Sequence, residues 1–251
     1  LLRRRCRAAL LWRHYSMHRE AIGSNTWYNS QTPTGATTTN YRARERPVSV
    51  YNPMDSDFAI TLGIEEEYQI VDPETRELRS YITQILEPGR LILREQIKPE
   101  MHQSIVEVGT RPCRTISEAR AEILHLRGAI AGLAARHGMK IVAAGTHPFS
   151  SWLHQEITPD ERYYGVVGEM QDAALQLLIF GMHCHVGMPN NDTAIDLMNV
   201  ARYICPHLLA LSTSSPFWMG RNTGFKSYRS LIFSGFPRTG TPPSFTSAGD
   251  F

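Results

Sequence analysis

Three consecutive carboxylates sit inside an otherwise apolar run, Gly63-Ile64-Glu65-Glu66-Glu67-Tyr68-Gln69. In an extended chain successive side chains alternate faces, so Glu65 and Glu67 share one face, about 7 Å apart, while Glu66 takes the other. Two like charges that close repel unless water screens them or a cation neutralises them. A solvated edge strand is the simplest setting for such a run. The apolar flanks Ile60, Leu62, Ile64, Ile70 and Val71 argue against a free edge, so the carboxylates are expected to face a polar cavity.

Two further acids, Glu100 and Glu107, lie in Ile97–Thr110 (IKPEMHQSIVEVGT), and Glu107 is again embedded among apolar strand formers. Either alone reads as a salt-bridged structural acid. With Glu65 and Glu67 they make four carboxylates from two strand-like segments, a donor set suited to a hard cation such as Mg²⁺. A third element, Phe180-Gly-Met-His-Cys-His-Val-Gly-Met188, puts His183 and His185 on one strand face and Cys184 on the other. A lone histidine in an apolar strand is usually a satisfied core residue, whereas two at this spacing, flanked by glycines, suit metal or phosphate. Zinc fits the imidazoles by spacing alone, but the available partners are carboxylates rather than thiolates, which favours Mg²⁺ or Mn²⁺. Cys184 is expected to point into the core and to be a poor nucleophile.

The fourth element is cationic. Arg221, Lys226 and Arg229 lie in RNTGFKSYR, with Arg238 beyond. They read either as ordinary surface charges or as spaced cations for a carboxylate or a transferring phosphate. The chain has no G-x-x-x-x-G-K-[ST] or G-x-G-x-x-G motif, so a nucleotide would have to be held through metals and scattered cations.

Positioning these groups requires strands alternating with helices. Phe58–Asp72 reads as a strand turning at Asp72-Pro-Glu-Thr into a hairpin near Leu78. Thr115-Ile-Ser-Glu118 has the form of a capping box. It opens a helix with Ile116, Ala119, Ile123, Leu126, Ile130 and Leu133 at helical spacing, closed by Gly138. Met139–Gly145 reads as a short buried strand, and Thr158-Pro159 as the first turn of another helix. Leu175–Met188 reads as a strand, Asp192–Ser212 as a helix, and an Arg-bearing segment follows at Phe225–Ser234. The expected class is α+β, a mainly antiparallel sheet with flanking helices.

The composition agrees. The 251 residues are 42% hydrophobic and 20% charged, ordinary for a folded domain. No apolar run approaches the roughly 20 residues a membrane span needs. Cys6, Cys113, Cys184 and Cys205 show no CxxC spacing, which fits a reducing compartment. The net charge of +2 hides nine arginines in residues 1–46 against Glu20 and Glu45, so the remainder is mildly acidic. That suits a metal-collecting site and gives no support to nucleic-acid binding. Residues 1–56 are expected to be a disordered or non-homologous extension, with Met17 or Met54 as alternative starts. An organellar transit segment is the other reading, disfavoured because 25–40 lacks an amphipathic period.

Taken in order, GIEEEYQ, IKPEMHQSIVEVGT, AAGTHPF, IFGMHCHVGM and SSPFWMGRNTGFKSYR resemble the type 2 glutamate–cysteine ligases, the bacterial carboxylate–amine ligase family, over about Asp57 to Pro243. The chain is more distantly similar to glutamine synthetases. The resemblance implies a glutamine synthetase-like catalytic core over 57–243 and an ATP-dependent ligase joining the γ-carboxyl of glutamate to the amine of cysteine through an acyl phosphate. It implies that Glu67, Glu100 and Glu107 hold one Mg²⁺, and Glu65 and His183 a second. His185 and Lys226 would support the nucleotide, and Arg221 and Arg229 would neutralise glutamate or the transferring phosphoryl group. The family continues with a further strand segment carrying acids and arginines, so the expected core is incomplete at its carboxy end, with 244–251 as an unmatched tail. Two rivals remain: a catalytically incompetent remnant of the fold, and a metal-dependent hydrolase using His183, His185 and the glutamates. The expected partners are small molecules (glutamate, cysteine or another amine), with no nucleic acid or membrane, in a cytoplasmic protein for which an oligomer is left open.

Overall fold

The computed structural model of the chain describes residues 60–237 and 239–251. The arginine-rich start, both alternative methionine starts, Phe58 and Arg238 lie outside the described residues.

The acidic run forms the middle of a long strand, β1 (Thr61–Val71), followed by a turn in which Asp72 Oδ1 accepts from the Glu74 and Thr75 N–H groups. The chain returns beside β1 through a single bridge, Val71 to Leu78. Helix α1 (Ile82–Leu93) leads through a 3₁₀ turn into β2 (Ile97–Pro99), which pairs antiparallel with β3 (Ile105–Gly109). Helix α2 (Ile116–Arg136) starts as its capping residues dictate: Thr115 Oγ1 accepts from the Glu118 N–H at 3.1 Å, and the Glu118 carboxylate accepts from the Arg114 N–H at 2.7 Å. It stops at Gly138, whose φ of +71° is the left-handed conformation that glycine adopts at least cost. Ala119, Ile123, Leu126, Ile130 and Leu133 are buried as their spacing demands; Ile116, at the free first turn, is 74% exposed.

Three expectations change at this level. The Met139–Gly145 strand shrinks to β4 (Lys140–Val142), and it is not buried: Lys140 and Val142 are exposed, because β4 pairs along one side only with the end of β1. Pro159 precedes α3 (Glu161–Met170) instead of sitting in its first turn, since Asp160 is the cap and accepts from the Arg162 N–H at 2.8 Å. Leu175–Met188 is a strand only in its second half. Helix α4 (Asp172–Leu175) takes the start, and β5 (Met182–Gly187) the end. Helix α5 (Asn191–Leu211) follows, then a two-stranded ribbon, β6 (Phe217–Trp218) and β7 (Arg221–Asn222), and α6 (Tyr228–Ser234).

The main sheet runs β2-β3-β1-β4, with β5 also paired to β1, and every pairing is antiparallel. The expected α+β architecture, a mainly antiparallel sheet with flanking helices, is what forms. One face packs Tyr68, Ile70, Val106 and Val108 against Ile82, Ile85, Leu126 and Ile130 of α1 and α2. A second cluster gathers Val71, Ile105, Phe180 and Trp218. Two histidines serve the scaffold. The His147 ring accepts at Nδ1 from the Ser150 N–H at 2.9 Å and has Nε2 2.9 Å from the Arg76 carbonyl. His102 is fully buried with Nε2 3.1 Å from the Leu175 carbonyl, and burial pulls its pKa down to about 4.

Candidate metal centre

β1 is the central strand, and its alternation sorts the three glutamates. Glu66 faces α2, where it is buried, hydrogen-bonded by the Tyr68 hydroxyl and held by the Arg127 guanidinium, with Nε at 2.8 Å. It is a structural acid. Glu65 and Glu67 point the other way, and each meets a different set of partners.

Glu65 stands opposite His183 of β5 in register, while His185 lies opposite Gly63, which has no side chain to crowd its ring. Glu65 Oε2 is 2.9 Å from His185 Nε2 and 3.5 Å from His183 Nδ1. One ligand atom from each of Glu65, His183 and His185 lies within 4.8 Å of the others. Hydrogen bonding to His183, and then to His185, holds the Glu65 carboxyl well below the usual range, and the same contact raises the His183 pKa against the opposing effect of burial. A small cleft lined by Thr61, Glu65, Thr110 and His185 opens beside this group.

Glu67 stands opposite Glu107 of β3, and Glu100, just past β2, completes a second set within the same 4.8 Å. These three carboxylates are crowded together and largely removed from water. Burial raises the pKa of Glu67, and burial together with the charges of Glu67 and Glu107 raises that of Glu100 to about 8. A cation placed among them would relieve both causes. The sets therefore fit divalent ions: one all-oxygen, suited to Mg²⁺ or Mn²⁺, and one mixed with two imidazoles.

Lys98, which the sequence reading did not single out, belongs to this surface. It pairs across the β2–β3 hairpin with Glu107, and its Nζ lies 3.0 Å from Glu107 and 3.4 Å from Glu65, one carboxylate from each set. Burial works against its charge, but Glu107 and Glu65 outweigh that and raise its pKa. The alternation that places Glu107 on the site face of β3 places its cross-strand partner there too; strand pairing was the missing signal.

Arg229 enters from α6. Burial lowers its pKa, the nearby Glu67 carboxylate opposes that shift, and its Nε has no hydrogen-bond partner. Gly181 explains how it fits. The Gly181 N–H donates to Glu67 at 2.7 Å, and a Cβ at this position would lie 2.8 Å from Arg229 Nη2 and 3.2 Å from His183 Nε2. A glycine here leaves room for guanidinium, imidazole and carboxylate to converge. A buried donor without a partner beside two cation sets is what a bound anion such as phosphate or carboxylate would satisfy.

The structure thus gathers Glu65, Glu67, Glu100, Glu107, His183, His185 and Arg229. Arg221 and Lys226 are exposed, on β7 and in the loop after it, and among the described residues no ion pair joins either to the glutamates. Cys184 faces away from the histidines as expected, but it is exposed and not in the core. Desolvation still raises its thiol pKa, so it has no nucleophile's character.

An antiparallel sheet thus presents, on one face, two groups of side chains that could each hold a cation, with the Arg229 guanidinium beside them. The glutamate-cysteine ligase family 2 model matches residues 61–251, and the chain belongs to that family. It is 87% identical over 204 residues to a Chloroflexus aurantiacus protein provisionally named glutamate–cysteine ligase 2, an overlap covering 81% of this chain and 52% of that relative. A similarly named Roseiflexus castenholzii protein is 76% identical over 201 residues, 80% of this chain and 53% of the relative. The chain therefore spans about half the length of the curated relatives it matches. Among solved structures, a Francisella tularensis glutamate–cysteine ligase in complex with AMP overlaps 58% of this chain and 30% of its own at 15% identity, with a TM-score of 0.43.

Proposed function

We propose that the chain carries the metal and phosphate half of an ATP-dependent carboxylate–amine ligase, which joins the γ-carboxyl of glutamate to the amine of cysteine to give γ-glutamylcysteine, ADP and phosphate. The observation that carries this reading is the division of β1: Glu65 and Glu67, two residues apart, each belong to a separate set that could hold a cation, beside the partly buried Arg229. In this reading Glu67, Glu100 and Glu107 hold one Mg²⁺ or Mn²⁺, and Glu65, His183 and His185 hold a second. His185 is a ligand here, not a separate contact to the nucleotide. Bound divalent ions supply charge neutralisation for the triphosphate.

A carboxylate is a poor electrophile, so the substrate γ-carboxylate oxygen attacks the γ-phosphorus of ATP. The bond to the bridging oxygen breaks, ADP leaves, and an acyl phosphate forms. The amine nitrogen then attacks the acyl carbon, the carbon–oxygen bond to phosphate breaks, and the amine proton passes to solvent. Arg229 is placed to hold the phosphoryl oxygens as their charge spreads. Lys98 spans the two carboxylate sets and keeps them from repelling each other before the ions arrive. Arg221 and Lys226, exposed and free of the glutamates, are read as contacts made only with bound substrate or nucleotide. Free Cys113, Cys184 and Cys205, and the lack of any described helix long and apolar enough to cross a membrane, fit a cytoplasmic setting with small-molecule substrates.

The exposure of Arg221 and Lys226, which form no ion pair with the glutamates among the described residues, favours one second reading, a chain that binds metal and nucleotide without turnover. ADP release measured with and without Mg²⁺ and with and without glutamate separates the two. Release that needs both supports the ligase; release independent of glutamate removes it; saturable Mn²⁺ and ATP binding with no release establishes the second reading. Preference for Zn²⁺ over Mg²⁺ in thermal stabilisation without nucleotide would instead indicate a metal hydrolase.

A further inference from the structure

The sheet itself fixes two of the three carboxylates in the all-oxygen set, because Glu67 and Glu107 face each other in the β1–β3 ladder. Glu100 has no such support. β2 ends at Pro99, its last residue paired with β3. The Glu100 carboxylate still comes within 4.8 Å of the other two, although residues beyond a strand end keep conformational freedom that ladder residues have lost.

A strap at 155–163, leading into α3, runs antiparallel beside 99–104. The Thr158 N–H donates to the Met101 carbonyl at 2.8 Å, the Gln103 N–H to the Glu156 carbonyl at 2.9 Å, and Ser104 Oγ to Gln155 Oε1 at 2.8 Å. Two side chains of the strap reach the main chain at Glu100. Thr158 Oγ1 donates to the Glu100 carbonyl at 2.6 Å, and the Tyr163 hydroxyl donates to the Pro99 carbonyl at 3.2 Å. Both residues are buried. The N–H of the same Glu100–Met101 peptide donates to the Glu100 carboxylate at 3.1 Å. Burial, followed by the Glu100 charge, raises the Tyr163 pKa to about 12, so the hydroxyl keeps its proton and remains a donor.

We propose that Thr158 and Tyr163 are positioning residues for the Glu67–Glu100–Glu107 set: by clamping the Glu100 and Pro99 carbonyls they make the Met101 N–H aim the Glu100 carboxylate at its two neighbours. A peptide is planar, so the hydroxyl that fixes its oxygen also fixes the direction of its N–H. The proposal rests on the reading of this set as a divalent-cation site. It assigns no contact with the ion to either hydroxyl. The main-chain bonds at Met101 and Gln103 and the Ser104–Gln155 bond do not involve them, so the strap keeps its place when a hydroxyl is removed.

The test is Mn²⁺ titration calorimetry on the full 251-residue chain, reading the site that Glu67→Gln and Glu100→Gln weaken. Thr158→Val keeps the side-chain shape without the hydroxyl and is expected to weaken that site about tenfold, the low end for an outer partner of a metal ligand. The site containing Glu65 should hold its affinity. Thr158→Ser returns the hydroxyl and should restore binding, and Tyr163→Phe should weaken the same site by a smaller factor. A purely structural role would lower the urea midpoint and leave the affinity of the folded chain unchanged. Should Thr158→Val fail to fold, Tyr163→Phe, which removes a single oxygen atom, decides. The proposal is overturned by unchanged affinity in either variant, by equal weakening of both sites, or by Thr158→Ser binding no better than Thr158→Val; in each case the sensitivity to Glu100→Gln leaves the cation site standing. Absence of any Mn²⁺ site sensitive to Glu67→Gln and Glu100→Gln removes the cation site and the proposal with it.

Discussion

Glu67 of β1 and Glu107 of β3 are directly opposed across an antiparallel pair, the arrangement in which like charges are most destabilising. A sheet that places Glu100 beside them as well accepts a repulsion that a divalent cation would turn into attraction. For this reason Glu67→Gln is expected to weaken Mn²⁺ binding by about 100-fold or more, above the 10–100-fold typical for losing an outer partner of a metal ligand. Titration calorimetry should show one of two sites lost while the far-ultraviolet dichroism is unchanged. Loss of the dichroism would make Glu67 a structural residue.

Gly181→Ala should leave stability within about 1 kcal/mol, because the displaced neighbours are the ends of flexible side chains. Function should suffer more. The added methyl pushes away Arg229 and His183, so ATP affinity and any turnover fall together while the urea midpoint holds. A variant with unchanged nucleotide binding would show that the convergence around Gly181 is incidental.

Lys98→Ala removes a cation that competes for Glu65 and Glu107. Mn²⁺ should therefore bind about three to ten times more tightly, about 1 kcal/mol, with the gain shrinking as ionic strength rises. Weaker Mn²⁺ binding would mean that the ammonium group orders the carboxylates instead of competing with the metal.

The pH dependence follows from Glu100, whose pKa stands at about 8 without metal against an ordinary 4.5. An acid with a raised folded pKa binds its proton more tightly in the native state, so the metal-free protein should lose stability as pH rises from about 5 to 8, at up to about 1.4 kcal/mol per unit. His183, also raised, adds in the same direction above its ordinary range. Mn²⁺ competes with the Glu100 proton, so its affinity should climb over the same interval and level off above about 8. Glu100→Gln should flatten the metal-free stability profile; an unchanged slope would assign it to other groups.

Arg127→Ala should unfold the protein at lower urea, by about 1–3 kcal/mol, since buried Glu66 loses its guanidinium partner. Mn²⁺ binding by the folded protein should not change, because Glu66 lies on the other face of β1. A parallel loss of metal affinity would show that the two faces are coupled.

Much of this site was legible in the residues. Strand alternation alone separates Glu66 from Glu65 and Glu67, and it aligns His183 with His185. The capping box at Thr115 and the glycine at 138 fix both ends of α2 through local hydrogen bonds. The reading failed where neighbours decide. Met139–Gly145 has the composition of a buried strand, but it pairs on one side only. Cys184 lies on an apolar strand, yet it is exposed rather than part of the core.

What the sequence by itself determined is periodicity: which side chains share a face, where helices begin and end, and which residue types are able to hold a cation. Those depend on interactions within a few residues of chain. Only the tertiary structure decided which faces meet. Strand register set Glu67 against Glu107 and brought Lys98 between two carboxylate groups, and α6 carried Arg229 beside Gly181 while Arg221 stayed on the surface. Contacts between residues far apart in the chain depend on how whole elements pack, and a pattern along the chain carries no distance between them.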